Sequence, residues 1–122
     1  MDVQESLNQG IKDFSGHPYF LEMTLKELKL HSEKNKDYTK GGDSLGNFKR
    51  VSKILSNYPK LKLSDSRVVA IVYLLKQLDA VLWMISNEYE GKVENIDSRM
   101  QDVHIYAKII RILNKEMKRV ND

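Results

Sequence analysis

The chain has 122 residues, of which 41% are hydrophobic and 30% are charged, which predicts one domain over residues 1–122 with a core of modest size. The formal net charge is only +3, and because the basic residues are scattered, nucleic acid is not expected as a partner. The sequence has no cysteine, which excludes disulfides, thiolate catalysis and cysteine-based metal sites.

The N-terminal part of the chain predicts a short helix followed by a longer one. Asp2 and Glu5 have the N-cap and N3 spacing of a capping box, and apolar residues follow at helical spacing as far as Phe14. Pro18 suits the first turn of the second helix, where its missing N–H group is not needed. We expect this second helix to run to about Asn35.

A polar stretch from Lys34 to Phe48 follows and is predicted to be a loop. It holds three lysines, two aspartates, two asparagines, three glycines and two aromatic residues. Polar loops held between rigid elements commonly carry binding residues. A simpler interpretation is that Gly41 to Ser44 form only a helix C-cap, a turn and the next N-cap.

A shorter helix is predicted after this stretch. It starts near Leu45 or Asn47, and its apolar residues are predicted to face inward at helical spacing: Phe48, Val51, Ile54 and Leu55. Pro59 ends it, because the residue before a proline is disfavoured in helical geometry.

The next helix, which follows Pro59, is long and is predicted to be the central one. Ser64 or Ser66 caps it, it reaches roughly to Tyr89, and Gly91 is its C′ residue. The segment Val68–Leu75 is apolar on all sides, which is typical of a buried helix. A buried strand is the competing interpretation because Val and Ile are β-branched, and we reject it because the apolar residues continue at helical spacing beyond this segment.

The last helix is predicted to begin after a cap at Asn95 or Asp97 and to run to the C-terminus. Its apolar residues alternate steps of four and three from Ile96 to Ile110. This near-heptad spacing suits packing in an antiparallel bundle or between subunits. We therefore predict an all-α bundle of four main helices after a short N-terminal helix, assembled as a homo-oligomer.

The sequence shows no signal for export or for insertion into a membrane. The first residues are acidic and polar, without the apolar core of a signal peptide. The longest apolar run, Val68–Leu75, is too short to span a bilayer. We expect a cytoplasmic protein without a membrane partner.

Several charged residues lie at the border of the apolar faces. Lys76 and Asp79 are one turn apart on the central helix, where they either enter the bundle interior or pair at an exposed edge. Asp102 on the last helix is either a boundary residue, bonded to Arg99 or to a neighbouring helix, or a carboxylate of a metal or phosphate site.

The polar stretch has the composition of an anion site. Backbone N–H groups at Gly41 and Gly42, a helix N-terminus beside them and three lysines favour binding of a phosphate. Tyr38 or Phe48 can stack on a base. This pattern indicates a nucleotide-like ligand.

The same residues carry a resemblance to known proteins. The segments Lys34–Tyr38 (K-N-K-D-Y) and Asp43–Lys49 (D-x-L-x-N-F-K) resemble a pattern in small phage and prophage proteins of undefined function. Tyr73 and Lys76 fit the Y-x-x-K of that pattern. Its later part, R-x-x-D-x-x-x-Y, is matched by Arg99, Asp102 and Tyr106. The resemblance covers residues 18–113, and such proteins are distantly similar to all-α nucleotide pyrophosphohydrolases of the MazG type.

That similarity implies Mg²⁺ held by helix carboxylates, with Asp102 and Asp79 as the matching positions. The chain departs from the enzyme pattern, because Arg99 stands three residues before Asp102 and no E-x-x-E pair is present. Magnesium needs several oxygen ligands, so an arginine beside the remaining aspartate favours an anion over a metal there. No resident metal is therefore assigned, and Mg²⁺ is expected only if the chain is an enzyme.

The leading hypothesis is a phage-type helical protein that binds a nucleotide or cyclic nucleotide, sequestering a nucleotide signal of host defence. The predicted ligand-binding residues are Lys34, Asn35, Asp37, Tyr38, Asp43, Asn47, Phe48, Lys76, Arg99, Asp102 and Tyr106. One alternative is a Mg²⁺-dependent nucleoside triphosphate pyrophosphohydrolase that uses Asp79 and Asp102 with Glu22 or Glu27. Another is a protein-interaction module without enzymatic activity. No catalytic residue is assigned.

Overall fold

A computed structural model describes residues 1–39, 43–91 and 93–121, and these residues form five α-helices and no strand. The predicted all-α class, with four main helices after a short N-terminal one, is confirmed. The helices are α1 (Val3–Lys12), α2 (Pro18–Thr39), α3 (Gly46–Leu55), α4 (Ser66–Ser86) and α5 (Ile96–Asn121). Contacts divide the chain into two compact units, residues 1–32 and residues 33–122. The single domain over residues 1–122 stays a prediction.

The first unit contains α1 and most of α2. The predicted N-cap is confirmed, because the side chain of Asp2 accepts a hydrogen bond from the Glu5 backbone N–H at 2.8 Å. Phe14 and Phe20 stack with their ring centroids 5.5 Å apart. Pro18 opens α2 as expected. The unit contains none of the buried apolar residues of the chain, and most of its large apolar side chains are exposed.

The second unit is built around α4, which packs against α5 and, over a shorter length, against α3. The buried apolar side chains of the described residues are few: Val51, Val68, Ala80, Val81 and Met84. Nearly as many buried residues are polar or charged: Asn47, Gln77, Asp79 and Arg99. Because buried polar groups require hydrogen-bond partners, polar contacts contribute much of what fixes the three helices against one another.

The prediction that α4 is buried on all sides is wrong. Val69 and Tyr73 are exposed in its first half, and Leu82 and Ile85 in its second. Within the second unit α4 makes substantial contact with α3 and α5, and these contacts leave the four residues exposed. By length and composition α4 is also suited to cross a membrane. Core helices of soluble proteins meet the same criterion of length and composition.

The two ends of α4 are built differently from the prediction. Its N-cap is Asp65, between the two serines that were predicted, and its carboxylate accepts from the Arg67 N–H at 2.9 Å. At the other end Glu88, not Gly91, is the C′ residue, with a positive φ of 51°. The Tyr89 N–H reaches the Met84 carbonyl at 2.9 Å and the Glu88 N–H reaches the Ile85 carbonyl at 3.3 Å, which is a Schellman motif.

The predicted boundaries around the polar stretch are partly wrong. Helix α2 continues to Thr39 and not to about Asn35, because no glycine or proline occurs between these positions to end it. Helix α3 begins at Gly46, as predicted for a start near Leu45 or Asn47. At α5 the predicted cap Asn95 is confirmed, since its side chain accepts from the Ser98 N–H at 2.8 Å.

Candidate functional site

Asn47 and Arg50 of α3 bind Asp79 of α4, and we call these three residues the clamp. Asp79 is buried, and Arg50 binds its carboxylate with two hydrogen bonds, Nε to Oδ1 and Nη2 to Oδ2, both 2.8 Å long. This two-point geometry is the strongest form of such a pair. The hydrogen bond to Asp79 raises the pKa of Arg50 above its ordinary value. Of the two alternatives for Lys76 and Asp79, the interior placement is therefore correct for Asp79 and wrong for Lys76, which is exposed.

Asn47 completes the clamp from the first turn of α3. Its side-chain Nδ2 donates to Asp79 Oδ2 at 2.8 Å and to the carbonyl oxygen of Lys76 at 3.1 Å. Asn47 and Arg50 are three residues apart, so both project from one side of α3. The clamp thereby fixes the position of Phe48, which lies between them in the chain.

A second polar cluster joins α4 to α5. The Arg99 guanidinium is 1% exposed, and its Nη1 donates to Gln77 Oε1 at 2.8 Å. Gln77 Nε2 in turn donates to Asp102 Oδ2 at 3.0 Å. Glu94 lies 3.2 Å from the same Arg99 nitrogen. Asp102 is thus bonded to the neighbouring helix, which was one of the predicted alternatives.

A groove runs beside the clamp along α3 and α4. Two adjoining cavities of about 400 Å³ and 410 Å³ share Phe48, Tyr73 and Lys76 in their walls. The first is lined further by Asn47, Val51, Ser52, Leu55 and Val72, and the second by Gln77 and Tyr106. The lining is mostly apolar and aromatic, as is common in small-molecule sites, and the size is in their usual range.

Aromatic rings dominate the walls of this groove. Phe48 is 68% exposed and Tyr73 is 55% exposed, so both rings present accessible faces. Tyr73 is braced edge-on against Tyr106 of α5, with ring centroids 5.8 Å apart. Lys76, one turn after Tyr73 on α4, is exposed and supplies the only formal charge among the described residues that line the two cavities.

Asp43 lies at the entrance to α3 and has a local role. Its carboxylate accepts from the Leu45 N–H at 2.9 Å and from Lys49 Nζ at 2.9 Å. The bond from the Leu45 backbone, and then that from the Lys49 side chain, lower the pKa of Asp43 below its ordinary value. Asp43 is not among the residues that line the groove.

The structure brings together part of the predicted ligand-binding set. Asn47, Phe48, Lys76 and Tyr106 line the groove. Asp102 and Arg99 lie behind it, connected to its wall through Gln77. Lys34 and Asn35 lie on α2 and Asp43 lies before α3, and these three residues do not line the groove. The predicted roles of Asp37 and Tyr38, and of the turn at Gly41 and Gly42, lie outside the described residues.

Several site residues were missing from the predicted ligand-binding set, among them Arg50, Tyr73 and Gln77. A signal existed for Arg50, because it stands one turn after Asn47 and a buried aspartate requires a cation. For Tyr73 the signal was its position one turn before Lys76, which puts both residues on one side of α4. For Gln77 no pattern in the sequence indicates that it bridges two charged residues of another helix.

The carboxylates of the enzyme hypothesis are already bonded in this structure. Asp79 accepts from Arg50 and Asn47, and Asp102 accepts from Gln77. Over residues 1–39, 43–91 and 93–121 no three His, Asp or Glu side chains are grouped so as to hold a metal ion. A magnesium site at Asp79 and Asp102 would require these bonds to be replaced.

Comparison with known proteins found no relative of the chain. No protein-family model, curated protein or solved structure matches the chain. The resemblance to small phage proteins and to MazG-type enzymes therefore stays a prediction, and the function must be argued from the groove itself.

Proposed function

We propose that the chain binds a nucleotide or a nucleotide-like phosphate ligand in the groove between α3 and α4. The observation that carries the proposal is the presence of two largely exposed aromatic rings, Phe48 and Tyr73, in one lining with Lys76. Large aromatic side chains gain free energy when they are covered. A ligand with one flat apolar part and one anionic part satisfies both features of this wall.

The base of the ligand stacks on Phe48 or Tyr73. Stacking of a base on an aromatic side chain contributes about 1–3 kcal/mol and depends little on the identity of the base. Tyr106 holds the Tyr73 ring edge-on, so less rotational freedom is lost when a ligand binds. Asn47 does not contact the ligand in this proposal, because its amide N–H groups hold Asp79 and the Lys76 carbonyl.

The phosphate of the ligand binds Lys76. A single cation in the lining favours a ligand with one negative charge, such as a cyclic nucleotide, over a triphosphate, which requires several cations or a metal ion. Ten of the described residues line the two cavities, and none of these ten is a carboxylate or an imidazole. These are the usual proton-transfer groups, so the lining supports binding without turnover, the chemistry of a sequestering protein.

Isothermal titration calorimetry of the full chain against a panel of cyclic and linear mononucleotides, with and without Mg²⁺, tests the proposal. We expect one ligand per groove, with affinity that falls as salt rises because the phosphate contact is ionic. Phe48→Ala should weaken binding about 5- to 150-fold, from the loss of about 1–3 kcal/mol of stacking. The absence of heat from every member of the panel would overturn the proposal.

A matched pair of lysine variants separates the groove from the general charge of the protein. Lys76→Gln removes the cation of the groove, whereas Lys53→Gln removes an exposed lysine of α3 that does not line it. Both variants change the net charge equally. Only Lys76→Gln should weaken binding and reduce its salt dependence, and equal effects of the two would show non-specific attraction.

A further inference from the structure

The side of α4 away from the groove carries a continuous apolar stripe. Its members alternate steps of four and three residues: Ile71, Leu75, Leu78, Leu82 and Ile85. Leu78 and Lys76 are two residues apart, a rotation of about 200° around a helix, so the stripe and the groove occupy nearly opposite sides of α4. Leu82 and Ile85 are each 59% exposed, and the other three members are half-buried.

The spacing of the stripe is that of a helix that pairs with another helix. Steps of four and three place residues at the a and d positions of a heptad, where they insert between the side chains of a facing helix. No member of the stripe is charged. Within the second unit α3 and α5 pack substantially on α4, and beside them Leu82 and Ile85 stay exposed.

The two ends of α4 carry charges of opposite sign, which bears on the kind of partner that fits the stripe. Residues 60–67, at the N-terminal end, contain Lys60, Lys62 and Arg67 against one acidic residue. Residues 88–97, beyond the C-terminal end, contain four acidic residues against one lysine. The C-terminal part of α5 adds to the basic end, because Asn114 accepts from Arg67 Nη1 at 2.9 Å.

We infer that the stripe pairs with the same stripe of a second copy of this chain, antiparallel, about a two-fold axis at Leu78. In this arrangement residue 67 of one copy lies level with residue 89 of the other, since both are eleven positions from Leu78. The basic end of each copy then meets the acidic end of its partner, and the opposed helix dipoles are favourable too. A parallel pairing would bring like charges together, which is unfavourable.

Such an interface is self-complementary, as a two-fold contact must be. It leaves the groove of each copy open, because the groove is on the opposite side of α4. The pairing therefore does not depend on the proposed ligand. Dimerisation without ligand binding, and ligand binding without dimerisation, are distinct results that can be observed separately.

Sedimentation equilibrium of the full chain from 1 to 100 µM tests whether the chain pairs. We expect twice the chain mass for the wild type and at least a 100-fold weaker dimer for Leu82→Glu. The matched control is Ile112→Glu on α5, which alters an apolar residue of similar exposure, 51%, outside the stripe and should leave the dimer intact. A wild-type protein that is still monomeric at 100 µM overturns the inference. The inference is overturned equally if that monomer binds anionic vesicles.

Cysteine cross-linking tests the direction of pairing and does not rely on a destabilising change. The natural chain has no cysteine, so each introduced thiol is unique. Antiparallel pairing predicts a disulfide for Leu78→Cys and for a mixture of Ile71→Cys with Ile85→Cys. Ile85→Cys alone should not cross-link, because the two positions are about 21 Å apart along the helices and a disulfide requires Cα atoms within about 7 Å. Cross-linking of Ile85→Cys alone, or none for Leu78→Cys, overturns the inference.

Discussion

Replacing Arg50 by methionine is the most direct perturbation of the clamp between α3 and α4. Methionine keeps much of the length of the side chain but removes the two charged hydrogen bonds to Asp79. The Asp79 carboxylate is then left buried, with the amide of Asn47 as its remaining donor among the bonds described above. An uncompensated buried charge is one of the costliest defects in a folded protein.

The size of the effect follows from how exposed the two partners are. Removing one member of a buried ion pair costs about 3–5 kcal/mol. The Arg50 side chain is 43% exposed, so water can enter the vacated space, and we expect the lower figure of about 3 kcal/mol. The double variant Arg50→Met with Asp79→Leu removes both charges and should recover to within about 1 kcal/mol of the wild type.

Urea unfolding followed by the fluorescence of Trp83 measures this effect where it occurs. Trp83 is the single tryptophan of the chain and lines a cavity with Arg50 and Asp79. At an m-value of about 1.5 kcal/mol/M, a loss of 3 kcal/mol lowers the midpoint by about 2 M. A cost below about 0.5 kcal/mol for Arg50→Met, or a double variant less stable than either single one, would refute the reasoning, since the clamp would then contribute nothing.

Two further predictions concern the ends of α4. Glu88→Gly should raise the melting temperature, because the left-handed backbone at Glu88 costs about 1 kcal/mol less for glycine; Glu90→Gly is the control, and an equal or higher gain there would contradict the explanation. Asp65 has its pKa lowered, first by the side-chain hydrogen bond from Arg67 and then by the bond from the Arg67 backbone. The stability it contributes is therefore present above its ordinary value of 3.8 and is lost as pH falls through the lower folded value. Melting temperatures measured from pH 2 to 5 should fall less steeply in Asp65→Asn, and an unchanged slope would count against this role.

The fold could be predicted from the sequence where local chemistry decides it. Asp2, Pro18 and Asn95 act within one turn of the chain, so their capping roles were predictable from residue type and spacing. The prediction of the C′ residue of α4 was wrong because Glu88 occupies a backbone conformation that favours glycine. No residue pattern reveals such a case, since the surrounding structure and not the residue type imposes it.

The candidate site was predictable only in part, because its polar contacts join residues that are distant in the chain. The pairing of Arg50 with Asp79 spans 29 positions, and that of Gln77 with Asp102 spans 25. Spacing along one helix predicts which side chains share a face, as it does for Tyr73 and Lys76 on α4. It does not predict which charges meet across two helices, so Arg99 was expected at a phosphate and lies instead in a buried cluster.

The weak apolar anchoring of α3 has a consequence for the motion of the groove. Val51 is the only large side chain that α3 buries among its apolar residues, so the clamp carries most of its attachment. Segments with few buried apolar contacts open locally at a lower free energy than the rest of the fold. The amide hydrogens of α3 should therefore exchange with solvent well before those of α4, and a bound ligand that bridges Phe48 and Lys76 should slow that exchange selectively.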